Sequence, residues 1–419
     1  MPLPRVLRRF KRSTVRRFGW TAGAVAAAMF LWVNGFHNIG TIDTASAAEC
    51  AMPEPQTAAQ EPDVPDVNSG DLTPPREITG PTTAYTRTSA IPPVTTAPEE
   101  VQRLPVTVGS ADGPEQTVTD TTRILALNQN GGLAAAAIGL GFGCNLIGRD
   151  IATNYPALMP GNDDIPLVTQ NGHELNAEAI LNLSPTVVLT DSTVGPYDVQ
   201  LQLREAGIPV IMAPVVYEGG VEAVGEQLRF VARALGVPDV GEALAERTQD
   251  EINGTIQAIG KMAPSDPEEK PRVVFLYLRG SIYYWFGIDS GADSIIQAIS
   301  ARDVATEVGF EGMSPTNAEA LIKASPDVII VMTLGLASVG GLDEALELPG
   351  IKQTPAGRNQ RIVDMSDYEV MSFGPRTASV LAALATAIYA PELSYQPDTP
   401  PEAIDRRLRE IEQEREEES

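Results

Sequence analysis

Asn176-Ala177-Glu178-Ala179-Ile180-Leu181-Asn182-Leu183-Ser184-Pro185-Thr186-Val187-Val188-Leu189 returns 141 residues later as Asn317-Ala318-Glu319-Ala320-Leu321-Ile322-Lys323-Ala324-Ser325-Pro326-Asp327-Val328-Ile329-Ile330. Each copy reads as an asparagine helix cap, a short helix, a Ser-Pro turn and a buried strand. The glutamate two residues after each cap sits where the positive end of a helix favours an anion. A unit this long, repeated with its caps, turn and strand in register, predicts two lobes of similar build.

Working outward, apolar strands alternate with helices. Strands are expected at 124–127, 187–189 and 209–213, and helices at 132–140, 197–206 and 221–235. The βαβα order implies a parallel sheet covered on both faces. A long helix is expected over about 240–262, with Leu244, Ala245, Ile252, Ile256 and Ile259 on its apolar side. A second alternating set starts at Val273 and closes with a helix over about 375–389. The fold class is therefore α/β: two Rossmann-like lobes with parallel sheets, joined by one long helix. In open α/β sheets ligands bind at the carboxyl ends of the strands, which here would face the cleft between lobes.

The ends of the chain are different in kind. Seven basic residues, Arg5 to Arg17, precede an apolar run from Phe18 to Val33. That run suits an export signal and is short for a membrane span. Arg16-Arg17-Phe18 has a twin-arginine look. Ala45 to Ala48 offers a small-residue cleavage site, and Cys50 follows it. The expected organisation is 1–49 export segment, 50–104 disordered Pro-rich tether, 105–236 N-terminal lobe, 237–264 interlobe helix, 265–392 C-terminal lobe and 393–419 charged tail. An uncleaved membrane anchor is the other reading of the first segment. Either way, the bulk of the chain lies outside the cytoplasmic membrane.

Charge and cysteine count exclude several classes. Residues 1–49 hold 7 of the 30 Lys and Arg and 2 of the 55 Asp and Glu, so the rest carries a formal charge of −30. Nucleic acid is excluded as a partner on that ground. Two cysteines, Cys50 and Cys144, are too few for a cysteine zinc site. Cys50 is either a lipidation site or one half of a disulfide with Cys144, and the two readings exclude each other. No Ser-His-Asp pattern, Gly-rich phosphate loop or nucleotide motif is present, so a binding protein is expected rather than an enzyme.

Only two histidines occur, and His37 lies in the export segment, leaving His173. One imidazole cannot build a multi-histidine metal site. It can fill one axial position of a metal whose other ligands come from a macrocycle. Tyr277 can fill the other. Tyr277 and Arg279 sit two apart on a strand and share a face, and a guanidinium beside a phenol favours phenolate, a hard donor suited to Fe(III). Taken singly, His173 is a loop-bracing residue and Tyr277 a core residue; together they form a ligand set.

The segments Val168 to Glu178, Phe275 to Gly280, Gly287 to Asp293 and Ser372-Phe373-Gly374-Pro375 carry a family resemblance that spans about Ile124 to Glu392. The chain resembles the class III substrate-binding proteins of ABC importers, and within them the haem-binding lipoproteins of actinobacterial haem uptake. The resemblance implies ferric haem b as the carried ligand, with His173 and Tyr277 as axial ligands from opposite lobes and Arg279 supporting the tyrosine. It also implies that Glu178 and Glu319 dock onto a permease, which an ATPase drives, with haem taken from solution or a donor protein. Tyr283, Tyr284, Trp285 and Met332 are candidate pocket walls, and Arg149 and Arg376 candidate partners for the propionates. A ferric-siderophore or cobalamin binder on the same fold is the alternative, and a haem-modifying enzyme is the alternative of another class.

Overall fold

The computed structural model describes residues 50, 52–153, 165–170, 173–217 and 219–397. The expected export segment and the tail beyond 397 lie outside these. Residues 52–104, expected as a disordered tether, are instead laid along the folded body. Strand β1 (Thr82–Ala84) adds in parallel to the strand Ile362–Met365. Gly80 N donates to Asn359 O at 2.8 Å, Val94 N to Gly139 O at 2.8 Å, and Arg103 N to Gly236 O at 2.8 Å. Val67, Ile78 and Ile91 are buried. Prolines remove donors without preventing an extended chain from docking its remaining groups, so composition did not betray this order. A disulfide joins Cys50 to Cys144. That corrects the lipidation reading of Cys50, because a sulfur in a disulfide is not available for a thioether. Since β1 is held by the C-terminal lobe and Cys50 by the N-terminal one, the segment is a strap across both.

A small hairpin, β2 (Val106–Val108) and β3 (Gln116–Val118), leads into the N-terminal lobe. Its elements are β4 (Ile124–Leu127), α1 (Gly132–Gly139), β5 (Leu146–Gly148), β6 (Thr169–Gln170), β7 (Glu174–Leu175), α2 (Ala177–Asn182), β8 (Val187–Thr190), α3 (Tyr197–Glu205), β9 (Val210–Met212) and α4 (Val224–Ala234). The main sheet has the order β5-β4-β8-β9, all parallel. β4 and β8 are buried at every residue, which is why both read as unbroken apolar runs. Helix α5 (Pro238–Met262) then crosses to the second lobe, with a proline in its first turn.

The C-terminal lobe runs through β10 (Arg272–Arg279), β11 (Ile282–Phe286), α6 (Ala292–Ala298), β12 (Arg302–Asp303), α7 (Val304–Val308), β13 (Met313–Pro315), α8 (Ala318–Ala324), β14 (Val328–Met332), α9 (Thr333–Ser338), α10 (Leu342–Leu346), α11 (Pro355–Arg358), β15 (Ile362–Met365) and α12 (Thr377–Tyr389). Its sheet is mixed. β1, β15, β14 and β10 are parallel, while β11 and β13 are antiparallel additions. The β10–β11 connection is the two-residue turn Gly280-Ser281, and the turn uses Gly280 at φ +56°.

The repeat is visible in geometry. Asn176 Oδ1 accepts from Ala179 N at 3.0 Å, and Asn317 Oδ1 from Glu319 N at 2.9 Å and Ala320 N at 3.3 Å. The helices α2 and α8 are followed by Ser184 and Ser325 at φ +48° and +50°. One apolar cluster runs without a break from Ile124 and Val187 through Leu244 and Ile252 of α5 to Val273, Phe275 and Ile330. The lobes therefore share a core as well as a connecting helix and a strap. Separate clusters fill the outer face of each sheet.

Candidate functional site

The carboxyl ends of the two sheets meet. Asn130, just past β4, donates from Nδ2 to Met371 O, past β15, at 2.6 Å. The approach is close because Gly132 lacks a side chain: a Cβ there would lie 2.6 Å from Phe373 O. Gly291 at φ +86° plays the same part from the other side, where an added Cβ would sit 3.0 Å from the Phe373 ring. Tyr217 meets the edge of Phe373 with ring centres 6.0 Å apart, and Val221 N donates to Ser294 Oγ at 3.2 Å. These contacts form the floor between the lobes, and the strand ends rise on either side of it.

On the N-terminal side the strand ends are braced by buried carboxylates. Asp150, fully buried after β5, accepts from Asn128 N at 3.0 Å, Thr153 N at 2.7 Å and Thr153 Oγ1 at 2.8 Å. Burial pushes its carboxyl up to about 6 in spite of those donors. Burial also raises Asp191, after β8, which accepts from Thr193 and from Asn128 Nδ2. His173 lies in the turn between β6 and β7 and meets the loop that follows β8. Its carbonyl accepts from Gly195 N at 2.9 Å, Glu174 bridges Gly195, and its side chain is exposed. Arg149 is half-buried at the end of β5, and its backbone pairs with the segment around Leu167.

On the C-terminal side Tyr277 is half-buried near the carboxyl end of β10 and Arg279 is exposed at that end. Their face of the strand is set by alternation: Val273 and Phe275 below them enter the shared core, whereas Val274, Leu276 and Leu278 enter the outer cluster. The Tyr277 ring is held edge-on by Phe286 (6.3 Å, 86°), which packs on Phe275 at 5.1 Å. Among the described residues none of His173, Tyr277 and Arg279 makes a side-chain hydrogen bond or ion pair. Among the described residues no cluster of three or more His, Cys, Asp or Glu is placed to hold a metal ion.

The hairpin register divides the aromatic run. Tyr284 pairs with Tyr277 and shares its face; Tyr283 and Trp285 pair with Leu278 and Leu276 and point to the outer cluster. Trp285 packs on Phe310 at 5.9 Å. Trp285 is thus a core residue and Tyr283 packs half-buried on the same outer cluster, a correction to their expected place in the pocket. Met332 is half-buried at the end of β14 on the Tyr277 face, one step past the Leu276–Val331 pair. Arg376 is not at hand for propionates: it is buried, with its NH2 nitrogen donating to Glu369 Oε1 and to Thr86 Oγ1 of the strap. The sequence reading missed three exposed apolar side chains on these edges: Leu167, Ile282 opposite Arg279, and Leu334 just past β14. Apolar residues default to the core in any periodicity argument, so only the placed strand ends reveal them.

Glu178 and Glu319 are each exposed in the first turn of a short helix, α2 and α8.

The profile of the periplasmic binding protein family matches residues 130–369. Among solved structures the chain is similar to the haem-binding protein HmuT, at 35% identity over 76% of this chain and 100% of that one, with a TM-score of 0.69. HmuT variants in which a histidine, a tyrosine or an arginine two residues after that tyrosine is replaced by alanine match equally well. It is also similar to the periplasmic haem-binding protein RhuT from Roseiflexus sp. RS-1, at 34% identity over 65% of this chain and 99% of that one, TM-score 0.57. BhuT in complex with two haems matches at 30% identity over 64% of this chain and 98% of that one, TM-score 0.56. No curated protein sequence matches. With more than half its length matched by the family profile and HmuT covered end to end, the chain belongs to the periplasmic binding protein family.

Proposed function

We propose that the chain captures ferric haem between its lobes, outside the cytoplasmic membrane, and delivers it to the permease of an ABC importer. The observation that supports this reading is that Tyr277 and Arg279 lie at the carboxyl end of β10, that the backbone of His173 meets Gly195 in the loop after β8 of the other lobe, and that none of the three has a side-chain hydrogen bond or ion pair among the described residues. Tyr277 supplies a phenolate to one face of the haem, Arg279 offsets its charge, and His173 supplies an imidazole to the other face. Tyr284, Ile282, Leu334 and Leu167 offer apolar surface to the porphyrin, with Met332 beside Tyr277. Arg149 is the cation on hand for a propionate. The HmuT variants support the assignment, since they address the same three residue types with the same Tyr-x-Arg spacing. With Cys50 tied in a disulfide, attachment to the membrane would need the uncleaved form of the N-terminal segment.

Titration of the mature chain with hemin tests the reading. A saturable Soret change at one equivalent is expected. No Soret change, with fluorescence quenched by a ferric siderophore instead, would transfer the site to a ligand that carries its own iron coordination.

A further inference from the structure

Each lobe shows solvent one large apolar side chain at the same place in the repeat. Leu181 in α2 is 41% exposed and Ile322 in α8 is 42% exposed, and the two are 141 residues apart. Each lies three residues after an exposed glutamate, Glu178 or Glu319, and so on the same face of its helix. The residues just before them, Ile180 and Leu321, are fully buried. Both helices start from an asparagine cap and are followed by a serine in the left-handed region. Local geometry therefore aims the two side chains alike. The next residues differ, Asn182 against Lys323, so what the lobes share outwardly is an acid followed by an aliphatic group. A lone exposed leucine is ordinary on any surface. A pair at repeat-related positions, each with its own carboxylate one turn away, is a patterned feature.

We propose that Glu178 with Leu181, and Glu319 with Ile322, are two copies of one docking element. Each sets its aliphatic group into an apolar socket beside a cation on a membrane protein built of two equivalent halves. The occupant follows from the chemistry: a carboxylate pair calls for two cations, and two copies in one chain call for a partner that repeats its own site. The glutamates then steer the encounter and the aliphatic groups hold the complex. This inference rests on the delivery reading above and adds the apolar half of the contact.

The test uses cells of the native host lacking the gene, given back the full chain at graded expression, with uptake of iron-labelled hemin as readout. The variants are Leu181→Ser, Ile322→Ser, their double, the conservative pair Leu181→Met/Ile322→Val, and Glu178→Lys/Glu319→Lys. Hemin titration and thermal unfolding of each purified variant serve as checks on site and fold. Each serine substitution should raise the expression needed for half-maximal uptake roughly tenfold, the conservative pair should behave as the parent, and the double should abolish uptake. Normal uptake by the serine double alongside lost uptake by the lysine double would overturn the apolar element and leave delivery standing. Normal uptake by both doubles would overturn delivery as well. A parent that sediments as a dimer, and a serine double that does not, would make the occupant a second copy of this chain and refute the proposal.

Discussion

Opening the Cys50–Cys144 disulfide should lower the melting temperature by about 6 °C and leave the ligand site working. The bond closes a loop with a sequence separation of 94 residues. Loop-closure entropy for that length is worth about 4.7 kcal/mol at 25 °C. A folded body of about 350 residues, 50–397, unfolds with an entropy near 0.7 kcal/mol/K, and the ratio gives the shift. The perturbation is Cys50→Ser/Cys144→Ser, compared with the parent after reduction by dithiothreitol. The assay is differential scanning calorimetry at matched pH, with hemin titration as the control. Reduction and double substitution should give the same shift, and the N-terminal end of the strap, no longer tied to Cys144, should be the first segment cut by a protease. Two titratable thiols in the denatured, unreduced parent, or a melting temperature indifferent to reduction, would refute the reasoning.

Asp150→Asn tests the buried carboxylate. Its folded pKa, raised to about 6 by burial, lies above the unfolded value, so the stabilisation it gives is complete in acid and is lost as pH climbs through 6. The stability of the asparagine variant relative to the parent should rise between pH 4 and 7, and a flat difference in urea midpoints would remove Asp150 from this role. Asp112 works in the opposite sense. Burial raises its carboxyl, but hydrogen bonds from Arg204, Ser110 and Tyr197 outweigh that and hold it below the usual carboxylate range. Asp112→Asn should cost about 3 kcal/mol near neutral pH, with the deficit shrinking as acid titrates the parent below about pH 4. Arg361 is fully buried and donates to Gly80 O, Thr82 Oγ1, Ala387 O and Ile388 O, tying the strap to the end of α12. Arg361→Met leaves those acceptors without their donor and should cost about 3 kcal/mol by denaturant unfolding.

The two-lobe architecture was legible because its signal is local. Asn caps, Ser-Pro turns and buried parallel strands each have a short-range chemical signature, and a repeat doubles it. The long helix and its apolar positions followed from period alone: Leu244, Ala245, Ile252 and Ile259 are buried, and Ile256 is half-buried against the same cluster. The strap was not legible, since its order comes from partners far along the chain. Asn359, Gly139 and Gly236 accept its amides, and β15 supplies its one strand pairing. Within the site, Tyr277 and Arg279 share a face by strand alternation, which sequence gives directly. Which of Tyr283, Tyr284 and Trp285 joins them depends on the register set by the Gly280-Ser281 turn, and a single-residue slip would have exchanged them. Arg376 looked free because its acceptor Glu369 and the strap residue Thr86 meet it only in three dimensions.

The measurement closest to the central claim is the visible and paramagnetic resonance spectrum of the ferric haem complex of the parent, Tyr277→Phe and His173→Ala. The parent should show a phenolate-to-iron charge-transfer band. Tyr277→Phe should lose it at unchanged stoichiometry, since only the oxygen donor is removed. His173→Ala should keep the band and change the spin state or coordination number, since the opposite axial position is opened. A Tyr277→Phe complex that retains the band, or a His173→Ala complex whose spectrum matches the parent, would contradict ligation by this pair from opposite lobes.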